Sequence, residues 1–159
     1  YEDVARIEVR IPPLRYQRHY AAEVKTGLRG KFAINYVVAL CLLDGKLELA
    51  TFTDEKVNQA KVQQALGKVK VICDDSIPEP GPYCPVSVDL KSGARHSFTA
   101  RIAKGDPRNP MTETEVIEKF RSNAKLAISE NQAENLVAAV RNLETLSNVK
   151  ELAVLMMPS

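Results

Sequence analysis

The stretch KFAINYVVALCLLDG, residues 31–45, constrains this chain more than any other. From Phe32 to Leu43 only Asn35 and the hydroxyl of Tyr36 interrupt the apolar run, and apolar side chains fall at every helical angle. A helix of that kind must be enclosed on all sides, and Asp44-Gly45 supplies its stop. The run is well short of the ~20 residues that a membrane helix needs. The enclosure must therefore be protein, and two adjacent polar groups within it demand either internal partners or a task.

The rest of the chain supplies the elements that could do the enclosing. Ile7, Val9 and Ile11 alternate with Arg6, Glu8 and Arg10 as in a half-buried strand. Pro12 and Pro13 then break regular pairing, and residues 14 to 30 read as a basic loop carrying Arg15, Arg18, Lys25 and Arg29 against one acid, Glu23. Thr53 or Asp54 can cap a short helical stretch with Val57, Val62, Ala65 and Leu66 on its apolar stripe and Gly67 at its end. KVKVIC, residues 68–73, follows as a strand, and Pro78, Pro80, Pro82 and Pro85 form a stiff connector.

Val86, Val88 and Leu90 and then His96, Phe98, Ala100 and Ile102 alternate with polar residues across Ser92-Gly93, which predicts a β-hairpin with His96 on its apolar phase, as a core or edge histidine. KGDPRNP, residues 104–110, is a turn that delivers the chain to Thr112, whose hydroxyl forms a capping box with Glu115. Ser129 and Gln132 repeat the box, so two antiparallel helices are expected to cover one sheet face, followed by a tail with Leu152, Leu155, Met156 and Met157. The fold class is α+β: about four mostly antiparallel strands with helices packed on the sheet, as a single domain over residues 1–159.

Twenty-two basic and twenty acidic residues leave a formal +2, too balanced for binding nucleic acid or a membrane through bulk charge. Cys41, Cys73 and Cys84 have neither disulfide nor zinc-ligand spacing, which fits buried or idle thiols in the cytoplasm or another reducing compartment. The chain opens on Tyr1 with a strand close behind, so a piece of a longer chain is expected.

No complete active site is visible, since His19 and His96 sit in different elements and no metal-ligand set or Ser-His-Asp pattern occurs. If chemistry happens, this chain contributes part of it. Tyr36 is the best candidate: a phenol is protonated at neutral pH and can donate to a developing negative charge, and a cation such as Lys31 would lower its pKa. The alternative is a core tyrosine bonded to a backbone carbonyl, and Asn35 has the same two readings. The five Lys and Arg between Arg15 and Lys31 would suit a polycarboxylate or phosphate approaching a cleft; a solvated loop is the alternative.

Three stretches together resemble one family. KFAINYVVALCLLDG, TFTDEKVNQAKVQQALGKVKVICDD and KGDPRNPMTETEVIEKF are similar to the C-terminal part of MmgE/PrpD proteins. The resemblance implies a class of enzymes that includes 2-methylcitrate dehydratase, cis-aconitate decarboxylase and iminodisuccinate epimerase. They join a large all-helical domain to a smaller α+β lid, usually as homodimers, and need neither metal nor another cofactor.

On that resemblance the chain is the C-terminal lid, lacking an N-terminal helical domain that carries histidine and lysine groups. Tyr36 falls on the lid tyrosine that faces the substrate and is the expected catalytic residue. Lys31 matches a commonly basic position and is expected to bind substrate, with Asn35 assisting. Ala33 departs from the serine that many members carry there. The expected function is a lyase acting on a small di- or tricarboxylate, with dehydration of the 2-methylcitrate type placed first and decarboxylation or epimerisation left open; the isolated lid is expected to be inactive. The rival readings are a non-catalytic carboxylate-binding module and a dimerisation module.

Overall fold

The computed structural model describes residues 1–79 and 83–157. They form two compact units, the first of residues 1–47 and 51–109, the second of residues 48–50 and 110–159.

The first unit is built on a four-stranded sheet. β1 (Val4–Ile11) lies between β2 (Val69–Cys73) and β3 (Cys84–Leu90), with β4 (Arg95–Ala100) outside β3. β1 runs antiparallel to β3, with Ile7 opposite Val88, and β3 pairs with β4 as the expected hairpin, with Val88 opposite His96. Its turn places Gly93 at φ 88°, a conformation that favours glycine. β1 and β2 are parallel, so the sheet is mixed: the chain between them must cross over, and it does so through helices. β4 is exposed along most of its length, so His96 is an edge histidine and Phe98 is 70% exposed.

The stretch read as a basic loop contains two helices, α1 (Pro13–His19) and α2 (Gly27–Gly30). Pro13 sits in the first turn of α1, where its missing N–H costs nothing, and Arg18 and His19 lie at the helix end that favours positive charge. The Leu14 N–H donates to Glu79 Oε1 at 2.6 Å. What fixes the helix is the pair Tyr16 and Tyr20, four residues apart, stacked at 4.8 Å and packed against the buried face of the sheet. Two tyrosines in a charged stretch make a weak hydropathy signal, which is why α1 is not evident from sequence.

α3 (Ile34–Asp44) is the apolar run, stopped by Gly45 at φ 72°. Ile34, Val38 and Leu42 pack against the sheet, where Ile7, Val9 and Ile11 are buried. Ala33, just before the helix, and Tyr36 and Leu40 within it face a second cluster with Val57 and Val62 from α4 (Asp54–Val57) and α5 (Ala60–Gly67). The all-round apolar pattern thus reflects burial between two clusters, with Cys41 and Asp44 left exposed. Thr53 caps α4 as expected. Of the proline connector, Pro80 and Pro82 lie outside the described residues, and Pro85 belongs to β3.

In the second unit, α6 (Glu113–Ala124) and α7 (Glu130–Arg141) both begin with the expected capping boxes. They are antiparallel: Arg141 reaches Glu113 at 2.7 Å, and Arg121 grips Glu134 at 2.6 and 2.7 Å. They pack on one another, and α7 also packs on α8 (Lys150–Leu155). Among the described residues no helix is long and apolar enough to cross a membrane.

Candidate functional site

Within the first unit, a cleft of about 350 Å³ opens between α1, the α2–α3 turn and the ends of β1 and β3. Its apolar side chains are Ile11, Phe32, Ala33, Ile34 and Val37, with Cys84 at one end. Its polar side chains are Arg15, His19 and Lys31, and no carboxylate is among the described lining residues. The sequence pointed to Lys31 and to Arg15 as part of a basic stretch. The structure brings them to one cleft and adds His19.

Each of the three basic side chains is held by local structure. Arg15 and His19 are four residues apart on α1, one turn of helix, beside the two tyrosines that seat α1 on the sheet. Lys31 ends α2 in a tight turn in which the Phe32 N–H donates to the Arg29 carbonyl and the Ala33 N–H to the Gly30 carbonyl. Neither His19 nor Lys31 has a side-chain hydrogen bond or ion pair among the described residues. The connection from α1 to α2 is pinned from below: the Arg29 guanidinium donates to the Tyr20 carbonyl, Asn58 to that of Lys25, and the Gly27 N–H to Asp54 Oδ1.

The start of α3 adds to the field. Its N-cap, Ala33, contributes no side-chain cap, its first turn contains no acid, and Ala33 and Ile34 both line the cleft. An uncapped N-terminus carries partial positive charge. Among the described residues no group of three or more His, Cys, Asp or Glu is placed to hold a metal ion.

Two expected site residues sit elsewhere. Tyr36 is fully buried, and its hydroxyl donates to the Thr51 carbonyl at 3.2 Å. Its ring lies beside Phe52 and outside the cleft lining, the geometry of a core tyrosine bonded to a backbone carbonyl, which was one of the two readings of this residue. Burial, aided by the Asp44 carboxylate, pushes its pKa up, opposite to the lowering expected from Lys31.

Asn35 is likewise buried, and its Nδ2 donates to the Ala21 carbonyl at 2.8 Å. It ties the exit of α1 to α3, and it is not among the residues lining the cleft, where Ala33, Ile34 and Val37 lie. Cys84 is half-buried and its thiol pKa is raised by burial, against a lowering by Arg15. Cys41 and Cys73 are exposed, so they are not the buried thiols that were one expectation.

The family model for the MmgE/PrpD C-terminal domain matches residues 1–145. The chain belongs to the MmgE/PrpD family. Among curated MmgE/PrpD relatives, human cis-aconitate decarboxylase is 32% identical over 96% of this chain and 32% of its own length, and the mouse protein of that name is 29% identical over 98% and 32%. A cis-aconitate decarboxylase-like protein, oryM, of Aspergillus oryzae is 26% identical over 82% of this chain and 27% of its own length. The chain thus spans about a third of the length of the relatives it matches.

The MmgE/PrpD resemblance read in KFAINYVVALCLLDG and KGDPRNP is therefore correct. His19 is the lining residue that sequence reasoning passed over. The available signal was the interleaving of two four-residue spacings, Arg15/His19 and Tyr16/Tyr20, directly after a Pro-Pro pair.

Proposed function

We propose that this chain is the lid portion of a decarboxylase-type lyase acting on a small, unsaturated tricarboxylate such as cis-aconitate. The observation that carries this reading is the cationic cleft with an apolar bed and no carboxylate among its described lining residues. Its volume is at the low end of the ~300–1,000 Å³ of small-molecule sites. Fixed positive charge in such a recess holds an anion without reorganisation when charge shifts during reaction.

Decarboxylation is favoured over the dehydration placed first from sequence. All three relatives named above are decarboxylases by name or likeness. The described lining also has no Ser, Thr, Tyr, Asn or Gln to hold a substrate hydroxyl, and Ala33 stands where a serine would have offered one. A dehydratase must recognise and expel a hydroxyl; an unsaturated acid has none. In this reading Lys31 and its cationic neighbours hold carboxylates that remain, while one carboxylate leaves as CO₂ and the electron pair it leaves behind is taken up by a proton.

The groups that move that proton belong to the rest of the full-length protein, whose helical domain would close over the cleft. The second unit carries an apolar groove of about 430 Å³ between α6, α7 and α8, with Val116, Val140 and Met156 exposed, a surface suited to that domain or to a second copy. The test is direct: the full-length protein, given cis-aconitate, should release CO₂, and given 2-methylcitrate it should form no alkene. The reverse pattern would restore the dehydratase.

A further inference from the structure

Helix α1 has one face packed on the sheet and another open to the cleft. Tyr16 and Tyr20 bury one side of the helix against the sheet, and the neighbouring positions Arg15 and His19 are exposed and line the cleft. Lys31 approaches from a different element, the α2–α3 turn. Arg18 lies on the same helix, is also exposed, and is not among the lining residues.

Cations from two elements at the rim of one apolar recess fit a ligand with at least two carboxylates separated by a short hydrocarbon segment. One carboxylate meets the guanidinium and imidazole of α1, in which Arg offers a planar fork of donors. Another meets the Lys31 ammonium, and the carbon chain lies on Ile34 and Val37. A monocarboxylate would satisfy only one end.

We infer that Arg15 and His19 of α1, together with Lys31 of the α2–α3 turn in the same cleft, form a two-ended binding site for a hydroxyl-free polycarboxylate, with α1 as its main recognition element. This deepens the lyase reading and rests on it for the substrate class, but not for the presence of the site.

Propane-1,2,3-tricarboxylate, which has three carboxylates and no hydroxyl, is the probe, titrated calorimetrically into the full-length protein. Arg15→Gln, His19→Gln and Lys31→Gln should each weaken its binding about tenfold, on the order of 1.4 kcal/mol. Arg18→Gln should leave it unchanged and Arg15→Lys should recover part of the loss. With a reacting substrate, the three weakened variants should raise KM more than they lower kcat.

Binding within twofold of wild type in both Arg15→Gln and His19→Gln overturns the site. So does an equal loss in Arg18→Gln, which would mean general surface charge, or absence of probe binding by the wild type. Release of CO₂ from cis-aconitate by the wild type is scored separately: its absence overturns the lyase reading alone, and the titration still decides the site.

Discussion

The ring of Tyr36 lies against the backbone of Gly30, so closely that a Cβ on Gly30 would come within 2.6 Å of Tyr36 Cδ1. Lys31 is the next residue. The tyrosine expected to perform chemistry therefore seats the turn that brings Lys31 to the cleft, and the glycine is required by space.

Gly30→Ala should overpack this contact and cost about 1–3 kcal/mol. The loss is expected as a lower denaturant midpoint in the full-length protein. Because the added methyl also pushes on the Lys31 turn, KM for a polycarboxylate should rise with it. Wild-type stability in this variant would show that the ring yields freely.

Tyr36→Phe removes one hydrogen bond to the Thr51 carbonyl and should cost about 0.5–1.5 kcal/mol. Unchanged stability combined with a large fall in kcat would return the phenol to the reaction itself.

The same hydroxyl predicts an alkaline limit. Its folded pKa is raised above the ordinary tyrosine value of 10.0, mainly by burial. The folded state holds this proton more tightly than the unfolded chain does, so the contribution is complete below that value and is lost as pH rises past it toward the folded pKa. Ultraviolet difference titration of wild type against Tyr36→Phe should show a phenol ionising above pH 10. Ionisation at or below that value would contradict the buried geometry.

Arg108 donates to Asp106 Oδ1 through its backbone N–H and its Nε, both at 2.9 Å, inside the turn closed by Gly105 at φ 94°. The guanidinium beside it holds the Asp106 pKa at about 2, below the ordinary 3.8. A depressed carboxylate contributes above its unfolded pKa, and the contribution is lost as pH falls from that value through the folded one. Carbon NMR should place the Asp106 midpoint near pH 2 and return it toward 3.8 in Arg108→Gln. A midpoint unaffected by Arg108→Gln would remove the pairing.

Polycarboxylate binding should weaken as salt rises, because the cations at the cleft rim are exposed and a Debye length shrinks from ~10 Å at 0.1 M to ~3 Å at 1 M. KM measured across that range should climb while kcat holds. A flat profile would mean that charge at this rim does not hold substrate.

Local order was legible where backbone chemistry is local. The capping boxes at Thr112 and Ser129, the hairpin around Gly93 and the stop at Gly45 all follow from residues a few positions apart, as does the alternation that makes β1 a half-buried strand. Helix α1 escaped because its apolar anchors are tyrosines among charges, and its burial is supplied by a sheet assembled from distant strands.

Sequence by itself determined that residues 32–43 must be wrapped by protein and that cations cluster between Arg15 and Lys31. Only tertiary structure decided which polar groups meet solvent. α3 is buried between two clusters, and the fold places Ala33, Ile34 and Val37 at the cleft while Asn35 and Tyr36 turn to the carbonyls of Ala21 and Thr51. Those carbonyls are 14 and 15 residues from their donors along the chain, so no local pattern could have announced them.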